Sequence, residues 1–176
     1  SSFYSTKFQR HIEELLVAPV PNIIILLGYV SGGIARGLLV GTVVTGIAMF
    51  FSQLSVQHIG MAILVAFLTS MLFALAGFIN AVFADSFDDI SIIPNFVLTP
   101  LSYLGGVFYS IEMLPDFWQK LALANPILYM INAFRFCIIG VSDIDIQFAI
   151  LMTLGFIVLL TVIALSLLYK GVGIKN

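Results

Sequence analysis

Three carboxylates stand within five residues, at Asp85, Asp88 and Asp89. Hard cations take carboxylate oxygens, so residues 85–89 are the first place to look for metal chemistry. A metal-dependent membrane enzyme gripping a diphosphate would need a second acidic motif on the same membrane face. The other acidic pair, Asp143 and Asp145, is expected on the opposite face, and a solvated loop is the plainer account. His11 and His58 are far apart and make no metal pair by spacing. The single cysteine, Cys137, excludes an intramolecular disulfide and a cysteine-based metal site, and reads as inert packing. There is no Walker loop, no paired-histidine motif and no G-x-S-x-G, so this chain is not expected to be an enzyme or to hydrolyse ATP.

The elements that carry these residues are apolar. Of 176 residues 61% are hydrophobic and only 9% charged, and mean hydropathy is +1.14. A soluble domain is nearer half apolar and a quarter charged, so the composition predicts an all-α integral membrane protein. The net charge of −2 and seven basic residues give no footing for nucleic acid. Runs long enough to cross about 30 Å of hydrocarbon predict four spans, at 23–51, 58–84, 91–110 and 146–169. Residues 1–22 are more polar, and Phe8, Ile12, Leu15 and Leu16 recur at helical spacing. This predicts an amphipathic surface helix at 7–18, ended by Pro19 and Pro21.

Within the spans, Gly33, Gly37 and Gly41 are four residues apart, a small-residue stripe that allows close helix packing inside one subunit or between two. Arg36 is placed nearer the cytoplasmic end of its span, where its head can snorkel; gripping an anionic substrate is the sharper alternative. Asn80 is expected to hydrogen-bond another helix. Pro94 and Pro100 kink the third span, and kinks often mark moving or pathway-lining helices. The segment that follows, 111–140, carries Glu112, Pro115, Asp116, Trp118, Lys120 and Asn125-Pro126 between two apolar runs, and predicts a re-entrant helical hairpin. Arg135 is expected to cap a helix end or to pair with Glu112 or Asp116.

The stretch 100–135 also carries a family resemblance. Tyr103-Leu104, Gly106, Phe108, Leu114-Pro115, Gln119, Asn125-Pro126, Tyr129 and Arg135 resemble the membrane subunit of type-2 ABC exporters. Gly105 stands where many members have Ser, and Ser110 where many have Pro. Upstream, Glu13-x-Leu15-Leu16-x-x-Pro19 is similar to that family's coupling helix, which docks on the ATPase subunit; Arg10-His11 replaces a common Gly-Thr pair. The resemblance implies a permease of an ATP-driven exporter for a hydrophobic or amphipathic substrate, a lipid, lipid-linked glycan or drug. It implies ATP-coupling residues at Arg10, Glu13, Glu14, Leu15, Leu16 and Pro19. It implies a pathway or re-entrant loop at Tyr103, Gly105, Gly106, Phe108, Tyr109, Pro115, Asn125, Pro126 and Arg135. ATP and magnesium would sit on a partner ATP-binding subunit, with no cofactor on this chain. A second permease subunit, most simply an identical chain, and membrane lipid would complete the surroundings.

The chain starts Ser1-Ser2 with no cationic leader, and the resemblance implies two further spans upstream, so a C-terminal part of a six-span protein is expected. Four spans put both ends on one side, with Lys7, Arg10, Lys170 and Lys175 there against Lys120 and Arg135 opposite. The positive-inside rule makes the ends cytoplasmic and the hairpin external, in a bacterial inner membrane. A transporter or channel driven by an ion gradient is the alternative. It would place coupling charges at mid-bilayer, where only Arg36 is a candidate.

Overall fold

The computed structural model describes residues 20–51, 56–84, 86–108 and 110–171. The predicted surface helix at 7–18, with Arg10, Glu13, Glu14, Leu15, Leu16 and Pro19, lies outside those residues, as do Asp85, Tyr109 and the side chains of Asp88 and Glu112. Among the described residues every regular element is helical.

Three helices are long and apolar enough to cross a membrane: α1 (Asn22–Phe51), α2 (Ile59–Phe83) and α7 (Ile146–Lys170). The span expected at 91–110 is not one regular helix. It is α3 (Phe87–Ile92), a π-helical turn (Ile93–Leu98) and α4 (Thr99–Leu104) in direct succession. The reason is covalent. Pro94 and Pro100 have no N–H to donate, and their rings press on the carbonyl four residues back, so the ladder widens between them. At 1.5 Å per residue this broken rod reaches at most about 27 Å, close to the hydrocarbon thickness.

A single 3₁₀ turn (Ile111–Met113) leads into α5 (Asp116–Leu123) and α6 (Pro126–Ile139), whose axes meet at 86°. The bend falls at Asn125-Pro126. Gly140, at φ +80°, ends α6 in the left-handed conformation that a residue with a Cβ resists.

α2 is the centre of the packing and touches α1, α6 and α7. Its Val65, Leu68, Leu72, Leu75 and Phe78 recur every three or four residues and are buried. The outer faces of α1 and α7 stay apolar and exposed, with Leu39, Val43, Ile47, Val158 and Val162 among them, as faces solvated by hydrocarbon should be. Gly33 and Gly37 bring α1 tight against α2. A Cβ on Gly33 would lie 2.6 Å from the Ala74 Cβ, and one on Gly37 2.5 Å from Ser70 Oγ. Gly41 meets nothing within 4 Å, so the stripe's third member takes no part in this contact.

Arg36 is the fifteenth residue of the thirty in α1, about 21 Å along the axis from Asn22. On the insertion scale the fifteen Leu, Ile, Val and Phe residues of α1 contribute about −5 to −9 kcal/mol against about +2.5 to +3.5 for the arginine, so the helix still inserts.

Candidate functional site

The irregular backbone of the broken rod needs partners, and side chains supply them. Pro94 cannot donate to the carbonyl of Ile90, four residues earlier. Asn80 on α2 donates its Nδ2 to that oxygen instead, at 3.1 Å. Within the π turn, Thr99 Oγ1 donates to Pro94 O at 3.2 Å and Ser102 Oγ to Leu98 O at 2.7 Å. At the rod's start Ser86 and Asp89 cap each other's backbone N–H groups at 3.2 and 2.9 Å, which gives Asp89 a structural task.

The far end of the rod is fastened to the hairpin. Gly105 and Gly106 are buried, and a Cβ on Gly105 would lie 2.9 Å from Ile131 Cδ1 of α6. Gly106 is left-handed at φ 78°, and its carbonyl accepts from Arg135 Nη2 at 2.6 Å. Asn125 works in two directions: Oδ1 accepts from Ile127 N at 3.0 Å to cap α6, and Nδ2 donates to Leu101 O at 2.6 Å. Thus the Asn125-Pro126 pair both starts α6 and ties it to α4. Pro115 precedes α5, and Gln119 Nε2 closes back onto Leu114 O at 2.8 Å. Tyr129 donates its hydroxyl to Leu123 O at 2.5 Å, fixing the corner from inside.

Among the described residues Arg135 pairs with Asp143 and not with Asp116, and the side chain of Glu112 lies outside them. Arg135 Nη1 lies 3.2 Å from Asp143 Oδ2, and that same oxygen accepts from Ile111 N at 3.3 Å. Asn132 Oδ1 accepts from Asp143 N at 3.0 Å and from Ser142 Oγ at 3.3 Å. The rod's end, the start of the hairpin, α6 and the loop before α7 therefore meet at one clasp. Asp145 is occupied nearby, capping α7 through Gln147 N and Phe148 N. The loop between α1 and α2 holds the other end of α6: His58 stacks on Phe136 at 5.3 Å and Gln57 Nε2 donates to Ile139 O.

Asn132 and Ser142 are clasp residues that sequence reasoning passed over, and Asp143, read there only as half of an acidic pair, is the partner of Arg135. One signal was present for the first: Asn125, Tyr129 and Asn132 are four and three apart, one polar stripe along an otherwise apolar helix. Tyr103 and Phe108 are exposed beside the clasp and face each other with ring centroids 5.6 Å apart. The clasp and the Gly33–Gly37 contact are separate places, one past the end of α4 and the other midway along α1. No group of three or more His, Cys, Asp or Glu side chains converges as a metal site among the described residues.

Long apolar helices, a broken rod and a bent hairpin clasped to it define a multi-pass helical membrane protein. A family model described as "ABC-2 type transporter" matches residues 1–139, and the chain belongs to that family. Over all 176 residues it is 52% identical to the inner membrane transport permease YadH of Escherichia coli (strain K12), covering 69% of that protein. The same figures hold for the YadH of Shigella flexneri. It is 27% identical over 135 residues to nodulation protein J of Sinorhizobium fredii (strain NBRC 101917 / NGR234), which spans 77% of this chain and 52% of that one. No solved structure matches it. The chain is the membrane permease of an ABC transporter, a multi-pass inner-membrane protein whose family works with an ATP-binding partner.

Proposed function

We propose that this permease exports a hydrophobic or amphipathic substrate (a lipid, a lipid-linked glycan or a drug) using ATP hydrolysed by a separate subunit. The observation that carries this reading is the clasped rod and hairpin. They provide a span with a widened, side-chain-supported turn, joined to the outer hairpin by polar contacts that can break and re-form. Two permease subunits, taken as identical, and two ATPases bearing ATP and magnesium make up the transporter. Both ends of the chain are cytoplasmic and the hairpin is external, on the charge count of four basic residues against two.

Closure of the ATPases pushes the surface helix at 7–18, and Glu13, Glu14, Leu15 and Leu16 carry that contact. The push tilts α1 and α2, and the broken rod yields at its π turn, where the regular α-helical ladder is interrupted between two prolines. Tyr103, Phe108 and Tyr109 line the pathway that opens beside the clasp. A Glu13→Lys, Glu14→Lys double variant, reconstituted with the ATPase, tests the coupling. It is expected to lose most of the permease-dependent stimulation of ATP hydrolysis at unchanged permease level; full stimulation would refute the assigned contact.

A further inference from the structure

Between α1 and α2, at half their length, lies a cavity of about 700 Å³. Pockets that take drug-sized or lipid-sized ligands fall in this range. Its walls are of two kinds. Tyr29, Phe73 and Phe78 supply apolar surface, while Arg36, Thr69 and Ser70 supply polar groups. No acidic residue lines it among the described residues. The rim is open, since Gly32, Arg36 and Val40 are exposed. The neighbouring contacts of Gly33 and Gly37 with α2 fix the wall, so the space is built into the helix pair rather than left by a loose side chain.

Two observations point to a polar ligand there. Arg36 stands midway along the apolar helix α1, and an ionisable side chain within such a helix often marks a pathway or binding site. Thr69 Oγ1 is buried and has no hydrogen-bond partner, whereas Thr153 and Thr161, also in a span, donate to the carbonyl four residues earlier. A buried hydroxyl left unsatisfied is uncommon and calls for a partner outside the chain.

We propose that this cavity binds an anionic amphiphile from the bilayer, with its charged head on Arg36 and the Thr69 and Ser70 hydroxyls and its chain on Tyr29, Phe73 and Phe78. A guanidinium offers a planar fork matched to phosphate or carboxylate oxygens, and the hydroxyls add neutral donors to the same head. The inference rests on the permease reading for its meaning, but the site itself is tested by binding alone, without ATP.

The full-length permease, purified with its ATPase in mild detergent, is titrated with dioleoylphosphatidylglycerol, dioleoylphosphatidylcholine or inorganic phosphate, and bound lipid is counted by native mass spectrometry. Phosphatidylglycerol is expected to bind at least about tenfold more tightly than phosphatidylcholine, and phosphate alone not at all. Arg36→Gln is expected to weaken it about tenfold and Arg36→Lys less. Gly32→Leu fills the cavity and keeps the arginine; a Cβ there meets nothing within 4 Å, so the helix pair is not pushed apart. It is expected to abolish binding at an unchanged melting temperature, and it carries the test if Arg36→Gln fails to fold. Equal binding of both lipids, or wild-type binding by Gly32→Leu, would overturn the site. Phosphate binding without the acyl chains would overturn the amphiphile. Failure here with an ATPase still bound removes the site and leaves the permease reading standing.

Discussion

Arg135 shows how much one side chain can hold. It joins the left-handed Gly106 carbonyl to the Asp143 carboxylate, and Asp143 in turn holds Ile111 N. Both partners are largely shielded, at 22% and 17% side-chain exposure, so the pair is stronger than a surface ion pair. Arg135→Gln is expected to cost about 2–3 kcal/mol, the range for hydrogen bonds to a charged group, read as a lower melting temperature in detergent. Arg135→Lys is expected to recover part of that, because a single ammonium cannot reach both oxygens with the guanidinium's fork. Asp143→Asn keeps an acceptor for Ile111 N and is expected to cost less, about 1 kcal/mol. The sequence offered Glu112 and Asp116 as partners because both stand in the same hairpin. Asp143 lies beyond the turn at Gly140, and only that turn's left-handed geometry brings it back to α6.

At the scale of elements, the broken rod depends on its neighbours. Asn80 serves the oxygen that Pro94 cannot. Asn80→Ala is therefore expected to destabilise the wild type by about 1–2 kcal/mol, leaving a partly buried carbonyl unpaired. In a Pro94→Ala background the new N–H takes that carbonyl, and the same Asn80→Ala change is expected to cost little. Thermal or denaturant unfolding of the four proteins gives the coupling energy, and additive losses would count against the assignment. On α1, Gly37→Leu must move Ser70 and is expected to lower stability and yield, while Gly41→Leu has open space and is expected to be close to neutral. Sequence pattern carried the long apolar helices and the break at Asn125-Pro126, because length, hydropathy and proline act locally. It did not carry the π turn, which needs two prolines and a partner on α2 to be seen together.

For the whole molecule, the described helices divide into a tight core around α2 and a more exposed periphery. No residue of the π turn or of α4 is buried within this chain, so the rod's flanks face lipid or another subunit. In the proposed transporter those flanks, with α1, are the surfaces left for a second permease subunit. Orientation has its own check. A cysteine introduced at exposed Phe117 is expected to react with a membrane-impermeant maleimide in spheroplasts, and one at Lys170 only after lysis. The reverse pattern would invert the topology.

The central claim, that this chain is the membrane half of an ATP-driven permease, is tested most directly by co-purification. The full-length permease alone carries the tag, and the ATP-binding subunit encoded beside it is expressed untagged. A stable, roughly equimolar complex whose ATP hydrolysis responds to the permease is the expected result. A folded permease that leaves the column without any ATPase would contradict the account.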